Sequence, residues 1–126
     1  MCDAYKAFGD ARYLNKAVSI TNFILQHCKK EDYRLDRNYK NGNSNINGFL
    51  QDYAFFIEAL IALHQITLEK EYLTDALHFT EYTLQHFYNK SNGMFYLTSD
   101  LDTKLITRSM DSSDNVIPAA NSTMAK

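Results

Sequence analysis

The chain has 126 residues, and its 13 Lys and Arg nearly balance its 15 Asp and Glu, which leaves a formal net charge of −2. This length suits one domain with its own core. The near-neutral charge argues against a nucleic-acid binder, because such proteins carry a basic excess. The longest unbroken apolar run, residues 59–63, is far shorter than the roughly 18 residues of a membrane span, so we expect no membrane partner.

The cysteine spacing and the N-terminus predict a cytoplasmic protein. Cys2 and Cys28 do not form a disulfide framework or a CxxC pair, and we interpret both as reduced thiols. The N-terminus has neither the basic nor the apolar region of a signal peptide. We also expect no cofactor and no metal: nucleotide, phosphate and metalloprotease motifs are missing, and the aspartates of residues 100–114 lack the spacing of a calcium loop.

The first half of the chain contains one short helical segment and one long helix. Residues 1–8 have helical spacing and stop at Gly9, which is followed by a candidate N-cap, Asp10. Residues 13–28 place apolar side chains on one face, which predicts an amphipathic helix. Residues 36–48 are rich in Asn, Gly and Ser and predict a loop with one short extended piece.

The second half begins with a strongly apolar helix. Residues 49–68 are apolar nearly all round the helix, which is typical of a buried helix. Residues 71–88 predict another amphipathic helix. The alternation in residues 94–98 and 104–108 predicts a small β-hairpin. We interpret residues 1–8 as the end of a helix and residues 121–126 as the start of another, and we expect the chain to be a fragment of a longer protein.

An internal repeat is the strongest structural signal. The segments YLNKAVSITNFILQH (13–27) and YLTDALHFTEYTLQH (72–86) are identical at seven of fifteen positions, at an offset of 59. Each copy is followed by a loop and a new helix, so the repeating unit is an outer amphipathic helix, a loop with a short β element, and an inner apolar helix. Stacked units of this kind form solenoids or closed α/α toroids, and we predict an all-α fold.

Two stretches resemble the spermatogenesis-associated protein 20 family, whose bacterial members are described as thioredoxin-domain-containing proteins of unknown function. GFLQDYAFFIEALIAL (48–63) is similar to one typical segment of that family, and DNVIPAANSTMA (114–125) is similar to a second. Residues 72–100 resemble the outer helix and hairpin between them. Gln51 and Ala119-Ala120 depart from the pattern, since an acid and Ser residues are common at those positions.

The resemblance implies a thioredoxin-like domain followed by an α/α toroid, similar to six-hairpin glycosidases and N-acylglucosamine 2-epimerases. Residues 1–126 would then be a partial toroid of about two helical hairpins, truncated at both ends, with a small β-hairpin near residues 94–108. The thioredoxin-like part is not in this sequence, so the resemblance implies no redox chemistry here.

The start of the inner helix carries the first candidate site. In a toroid, this end of the helix lies beside a central funnel. Asp52 would act there as a catalytic acid or base or bind sugar hydroxyls, and the alternative is a helix-capping role. Tyr53 and Phe49 would stack on a sugar ring, and the alternative is core packing.

A second polar cluster lies near the C-terminus. Asp114, Asn121 and Ser122 flank Pro118, which suits the first turn of a helix. Such a cluster would bind hydroxyl- or anion-bearing ligands, and the alternative is capping and loop ordering. Arg108 completes the predicted substrate-binding set.

Other titratable residues are expected to be structural. Glu58 is well out of phase with Asp52 on the helix, so we expect it to form an ion pair with Arg108 or Arg34. The repeat-equivalent His27 and His86 lie near helix C-termini, where they suit the helix dipole. We interpret His64 as a core residue.

Two functions therefore stay open. The first is a carbohydrate-related toroid with binding or acid/base chemistry in the intact protein. The second is a non-catalytic helical-repeat interaction module that accompanies a thioredoxin-like domain. Convergence of Asp52, Arg108 and Asn121 on one concave pocket favours the first, and separate capping contacts favour the second. Expected partners are a carbohydrate ligand, the rest of the parent chain and, through exposed apolar helix faces, a second copy in a homo-oligomer.

Overall fold

The computed structural model describes residues 1–102, 108–110 and 118–126. Helices dominate these ranges, as the sequence predicts, and the two short strands form one small sheet. The elements in chain order are α1 (Cys2–Phe8), α2 (Ala11–His27), α3 (Leu50–Thr67), α4 (Lys70–His86), β1 (Tyr88–Asn89), β2 (Met94–Phe95) and α5 (Ala120–Met124).

The junction between α1 and α2 is a sharp stop followed by a new N-cap, as expected. Gly9 closes α1 in the left-handed conformation, with φ of 67°, which glycine adopts without steric cost. The Asp10 carboxylate then accepts a hydrogen bond from the backbone N–H of Arg12. The Arg12 guanidinium also binds this carboxylate and lowers the pKa of Asp10.

The internal repeat of the sequence is also present in the structure, and it extends past the fifteen aligned residues. Helices α2 and α4 both have 17 residues. The first residue of α4 follows the first residue of α2 by 59 positions, and the last residues are related in the same way. The preceding caps match as well, because Leu68 ends α3 in the left-handed conformation (φ 61°) that Gly9 adopts after α1. By this offset, α1 corresponds to residues 61–67, the last two turns of α3.

The core forms where α3 packs along α4. The Phe56 and Phe79 rings meet edge to face with their centroids 5.4 Å apart, and the Tyr53 ring stacks on the Tyr82 ring at the same distance. Burial of these large side chains is the main source of stability. The sequence predicts that α3 is buried all round. Only the side that carries Tyr53 and Phe56 is buried, since 38% of Ile61 is exposed.

The small sheet differs in part from the predicted hairpin. Strand β2 lies within the predicted first strand, but its antiparallel partner is β1, with Tyr88 opposite Phe95. Gly93, at φ of 73°, reverses the chain directly after α4, so a tighter turn closes the sheet. Residues 103–107, which hold most of the predicted second strand, lie outside the described residues, although the Leu97 N–H donates to the Ser109 carbonyl at 2.8 Å.

The predicted loop between α2 and α3 is held by a buried carboxylate. Asp36 has no exposed side-chain surface and forms ion pairs with Lys30 at 3.1 Å and Arg34 at 3.0 Å. A buried carboxylate requires such partners, so these cations fix the path of the loop. The short extended piece expected here consists of isolated bridges, among them Asp36 opposite Asn47.

We predict that Phe79→Ala lowers the free energy of unfolding by about 3–5 kcal/mol, because the ring is fully buried between the helices. The matched control is Ile20→Ala, at the equivalent position of α2, where 42% of the side chain is exposed and we expect less than about 1.5 kcal/mol. Urea denaturation measures both values. Equal losses at the two positions would contradict this account of the core.

Candidate functional site

Asp52 caps the start of α3 and lies beside an exposed aromatic ring. Its Oδ2 atom accepts a hydrogen bond from the backbone N–H of Phe49 at 2.8 Å. The same oxygen lies 3.9 Å from Nε of Arg37, whose guanidinium stacks 4.4 Å from the centre of the Phe49 ring. Phe49 is 41% exposed, so this cluster reaches the surface. Sequence reasoning missed Arg37, because nothing in the loop sequence links it to Phe49.

Tyr53 is buried in the core although Asp52 beside it is partly exposed. Its side chain has no exposed surface, and its ring lies against Tyr82. Its hydroxyl accepts a hydrogen bond from the Leu35 N–H at 2.8 Å and donates one to Asn47 Oδ1 at 3.0 Å. Burial raises the pKa of Tyr53 well above its ordinary value. As placed, the ring offers no free face to a sugar, and the core-packing alternative describes its contacts.

Asn121 binds main-chain atoms in a way that parallels Tyr53. Its Oδ1 accepts from the Phe95 N–H at 2.7 Å, and its Nδ2 donates to the Phe95 carbonyl at 3.0 Å. Leu35 lies opposite Lys29 and Phe95 lies opposite Tyr88, the residue 59 positions after Lys29. In each unit, a side chain from the first turns of α3 or α5 therefore binds the equivalent main-chain position.

Arg108 satisfies carbonyl groups near the end of α4. Its guanidinium donates to the carbonyls of His86, at 3.0 Å, and Thr98, at 3.1 Å, and stacks 4.1 Å from the centre of the Tyr96 ring. The His86 carbonyl lacks a partner within its own helix, and it accepts hydrogen bonds from Arg108 and from the Asp100 N–H, at 3.0 Å. The His86 side chain is hydrogen-bonded at the same helix end, because its Nδ1 lies 2.7 Å from Oδ1 of Asp100.

The predicted arginine partners of Glu58 are wrong. Glu58 lies on an exposed face of α3 and pairs with Lys126 at 3.3 Å. Arg34 pairs instead with Asp36, and Arg108 binds carbonyls. The helix face that carries Glu58 points towards the C-terminal segment and away from both arginines, a placement that the helical phase alone does not reveal.

Two predicted site residues remain, Ser122 and Asp114. Ser122 is half-buried on α5, one residue after Asn121. Asp114 lies outside the described residues. Among residues 1–102, 108–110 and 118–126, no group of three or more His, Cys, Asp or Glu is arranged to hold a metal ion. No helix in these ranges is long and apolar enough to cross a bilayer.

The predicted set therefore divides into separate contacts. Asp52, Arg108 and Asn121 each bind main-chain groups of different segments. None of them lines the cleft of about 690 Å³ that lies between α1, α2, α3 and α5. The arrangement caps helix ends and fixes loops.

Comparison with known proteins finds relatives but no matching family model. The chain is similar to spermatogenesis-associated protein 20 of mouse (33% identical over 94% of this chain and 16% of the relative) and of human (28%, over 93% and 16%). It is also 29% identical to an uncharacterised protein of Caenorhabditis elegans, over 94% of this chain and 17% of that protein. The chain thus spans about a sixth of the length of these curated relatives, which are eukaryotic.

We predict that Asp52→Ala lowers the free energy of unfolding by about 1 kcal/mol, because the Phe49 N–H loses its acceptor. Gln51→Ala is the matched control: Gln51 is exposed on the same turn of α3, and we expect no change beyond about 0.5 kcal/mol. Chemical denaturation of both variants measures the difference. An unchanged Asp52→Ala protein would show that the cap contributes nothing.

We predict that Tyr53→Phe costs about 1–3 kcal/mol, because the buried Leu35 N–H is left without an acceptor. Tyr88→Phe serves as the control, since its side chain is exposed and removal of the hydroxyl should change little. Equal stabilities of the two variants, measured by urea denaturation, would argue against a structural role for the Tyr53 hydroxyl.

The same two variants test how the free energy of unfolding depends on pH. The raised pKa of Tyr53 means that its contribution to stability is complete below the ordinary tyrosine value of about 10 and is lost as pH rises above it. The wild-type protein should therefore lose more stability between about pH 9 and pH 11 than Tyr53→Phe does. Tyr88→Phe should follow the wild type across this range.

Proposed function

We propose that the chain is a non-catalytic helical-repeat module of a protein related to spermatogenesis-associated protein 20, and that it works as an interaction surface. One observation carries this proposal: Asp52, Arg108 and Asn121 are engaged with separate main-chain groups of the fold. A catalytic acid or base has to reach a bound substrate in a pocket, and these contacts serve the fold itself.

We further infer that the module is part of an α/α toroid of the six-hairpin type. The support comes from the order of elements, with α2 and α4 as equivalent outer helices and α3 and α5 as inner helices that pack on each other. In a protein of the relatives' length, a thioredoxin-like domain would be one candidate partner. A cytoplasmic location agrees with the free thiols of Cys2 and Cys28.

A carbohydrate site is the second candidate, and one specific observation favours it. The Phe49 ring is exposed beside the Asp52 carboxylate and the Arg37 guanidinium. An aromatic face next to hydrogen-bonding charges is suited to a sugar ring. This cluster differs from the predicted set. Arg37, which was not predicted, lies beside Asp52 and Phe49, whereas Tyr53 and Asn121 make other contacts.

Thermal unfolding with a panel of mono- and disaccharides separates the two candidates. A ligand at about 100 times its dissociation constant stabilises by about 2.7 kcal/mol, enough to raise Tm by several degrees. For an interaction module we expect no shift with any sugar. A sugar-specific shift that is lost in Asp52→Asn, whose amide oxygen is still able to cap Phe49, would contradict the module and support a carbohydrate site.

A further inference from the structure

Asparagine followed by glycine occurs three times in the chain, at residues 41–42, 47–48 and 92–93. This pair undergoes a spontaneous reaction in water, in which the glycine nitrogen attacks the side-chain carbonyl carbon of the asparagine. Glycine permits the attack because it has no side chain beside the nitrogen. The new N–C bond closes a succinimide ring, and the side-chain nitrogen leaves as ammonia with the glycine amide proton. Water then hydrolyses one of the two ring carbonyl bonds, which leaves aspartate or isoaspartate.

The hydrogen bonds of each pair decide whether this reaction proceeds in the folded protein. The glycine N–H has to give up any acceptor, and the asparagine side chain has to turn towards it. At residues 47–48 both groups are held. The buried Gly48 donates its N–H to the Leu35 carbonyl at 2.7 Å. The Asn47 side chain accepts from the Tyr53 hydroxyl at 3.0 Å and donates to Asp102 at 2.9 Å. Reaction there requires the loss of contacts to the core.

The pair at residues 92–93 is exposed, but its reacting groups are also occupied. The Gly93 N–H donates to the Asn89 carbonyl at 3.0 Å. The Oδ1 atom of Asn92 accepts a hydrogen bond from the Met94 N–H at 3.1 Å, which keeps the side-chain carbonyl turned towards β2. This pair is therefore protected by hydrogen bonds without burial.

The pair at residues 41–42 differs from the other two. Asn41 and Gly42 are both exposed at the tip of a turn. Among residues 1–102, 108–110 and 118–126, no group accepts the Gly42 N–H or bonds to the Asn41 side chain. The turn is closed by two main-chain hydrogen bonds between Lys40 and Asn43, at 2.9 Å and 3.0 Å. Attack requires Asn41 to leave its left-handed conformation (φ 52°), and opening an exposed turn of two hydrogen bonds has a low free-energy cost.

We propose that Asn41 is a modification site of this chain, at which the folded protein deamidates spontaneously through a succinimide formed with Gly42. The product adds a negative charge beside Lys40. In the isoaspartate form the main chain is longer by one carbon, so the two bonds between Lys40 and Asn43 are lost. The change stays at the tip, because the Asn38 side chain accepts from the Ile46 N–H at 2.8 Å and holds the base of the loop.

Peptide mapping by tandem mass spectrometry tests this proposal on the full chain. The folded protein is incubated at mildly alkaline pH, which promotes loss of the glycine amide proton. We expect Asn41 to deamidate at least tenfold faster than Asn47 and Asn92 in the same sample. Fragmentation that distinguishes isoaspartate from aspartate should find both products at Asn41 alone.

Two controls separate the fold from the local sequence. In guanidinium chloride the three pairs lose their hydrogen bonds, and their rates should become similar. Asn41→Gln removes the rapid component, because a glutamine side chain would have to close a larger and slower ring. Circular dichroism of the incubated protein should be unchanged, since the modification lies at the tip of an exposed loop.

Two results would overturn the proposal. Deamidation of Asn47 or Asn92 as fast as that of Asn41 in the folded protein would show that the hydrogen bonds do not protect them. An Asn41 that reacts only in guanidinium chloride would show that the turn between Lys40 and Asn43 is itself protective.

Discussion

Packing of α3 along α4 is the contact on which the rest of the structure depends. Tyr53 and Phe56 on α3 pack against Phe79 on α4, and this contact joins the first unit of the repeat to the second. In repeat proteins, stability is the sum of each unit's own stability and the contacts between neighbours. Here the neighbour contact is made of large aromatic side chains.

The N-terminal ends of α3 and α5 also bind the neighbouring loops. The Tyr53 hydroxyl binds the main chain of Leu35, and the Asn121 amide binds the main chain of Phe95 in the following unit. A phenol and an amide thus meet the same requirement, that a main-chain N–H shielded from water receives an acceptor. Polar residues at this end of the fold are explained by that requirement before any ligand is considered.

Much of the fold follows from the sequence, because helical periodicity and the 59-residue repeat are local signals. They predicted four helices, the stop at Gly9 and the cap at Asp10, which the structure confirms. The pairing of β2 with β1 was not predicted and the predicted partners of Glu58 were wrong, since both depend on which segments meet in space. The contact of Arg37 with Phe49 was missed for the same reason. Asp52 was correctly placed at the start of α3, where the capping alternative describes its bond to Phe49.

Burial differs sharply between the two outer helices. Helix α2 buries only Ala17 and Thr21, whereas α4 buries Tyr72, Ala76, Phe79, Tyr82 and Thr83. Segments with few buried contacts open at a lower free-energy cost than the global transition. Amide hydrogens of α2 should therefore exchange with solvent through local opening, while those of α4 exchange only when the whole domain unfolds. The two helices consequently differ in local stability, although they share one sequence pattern.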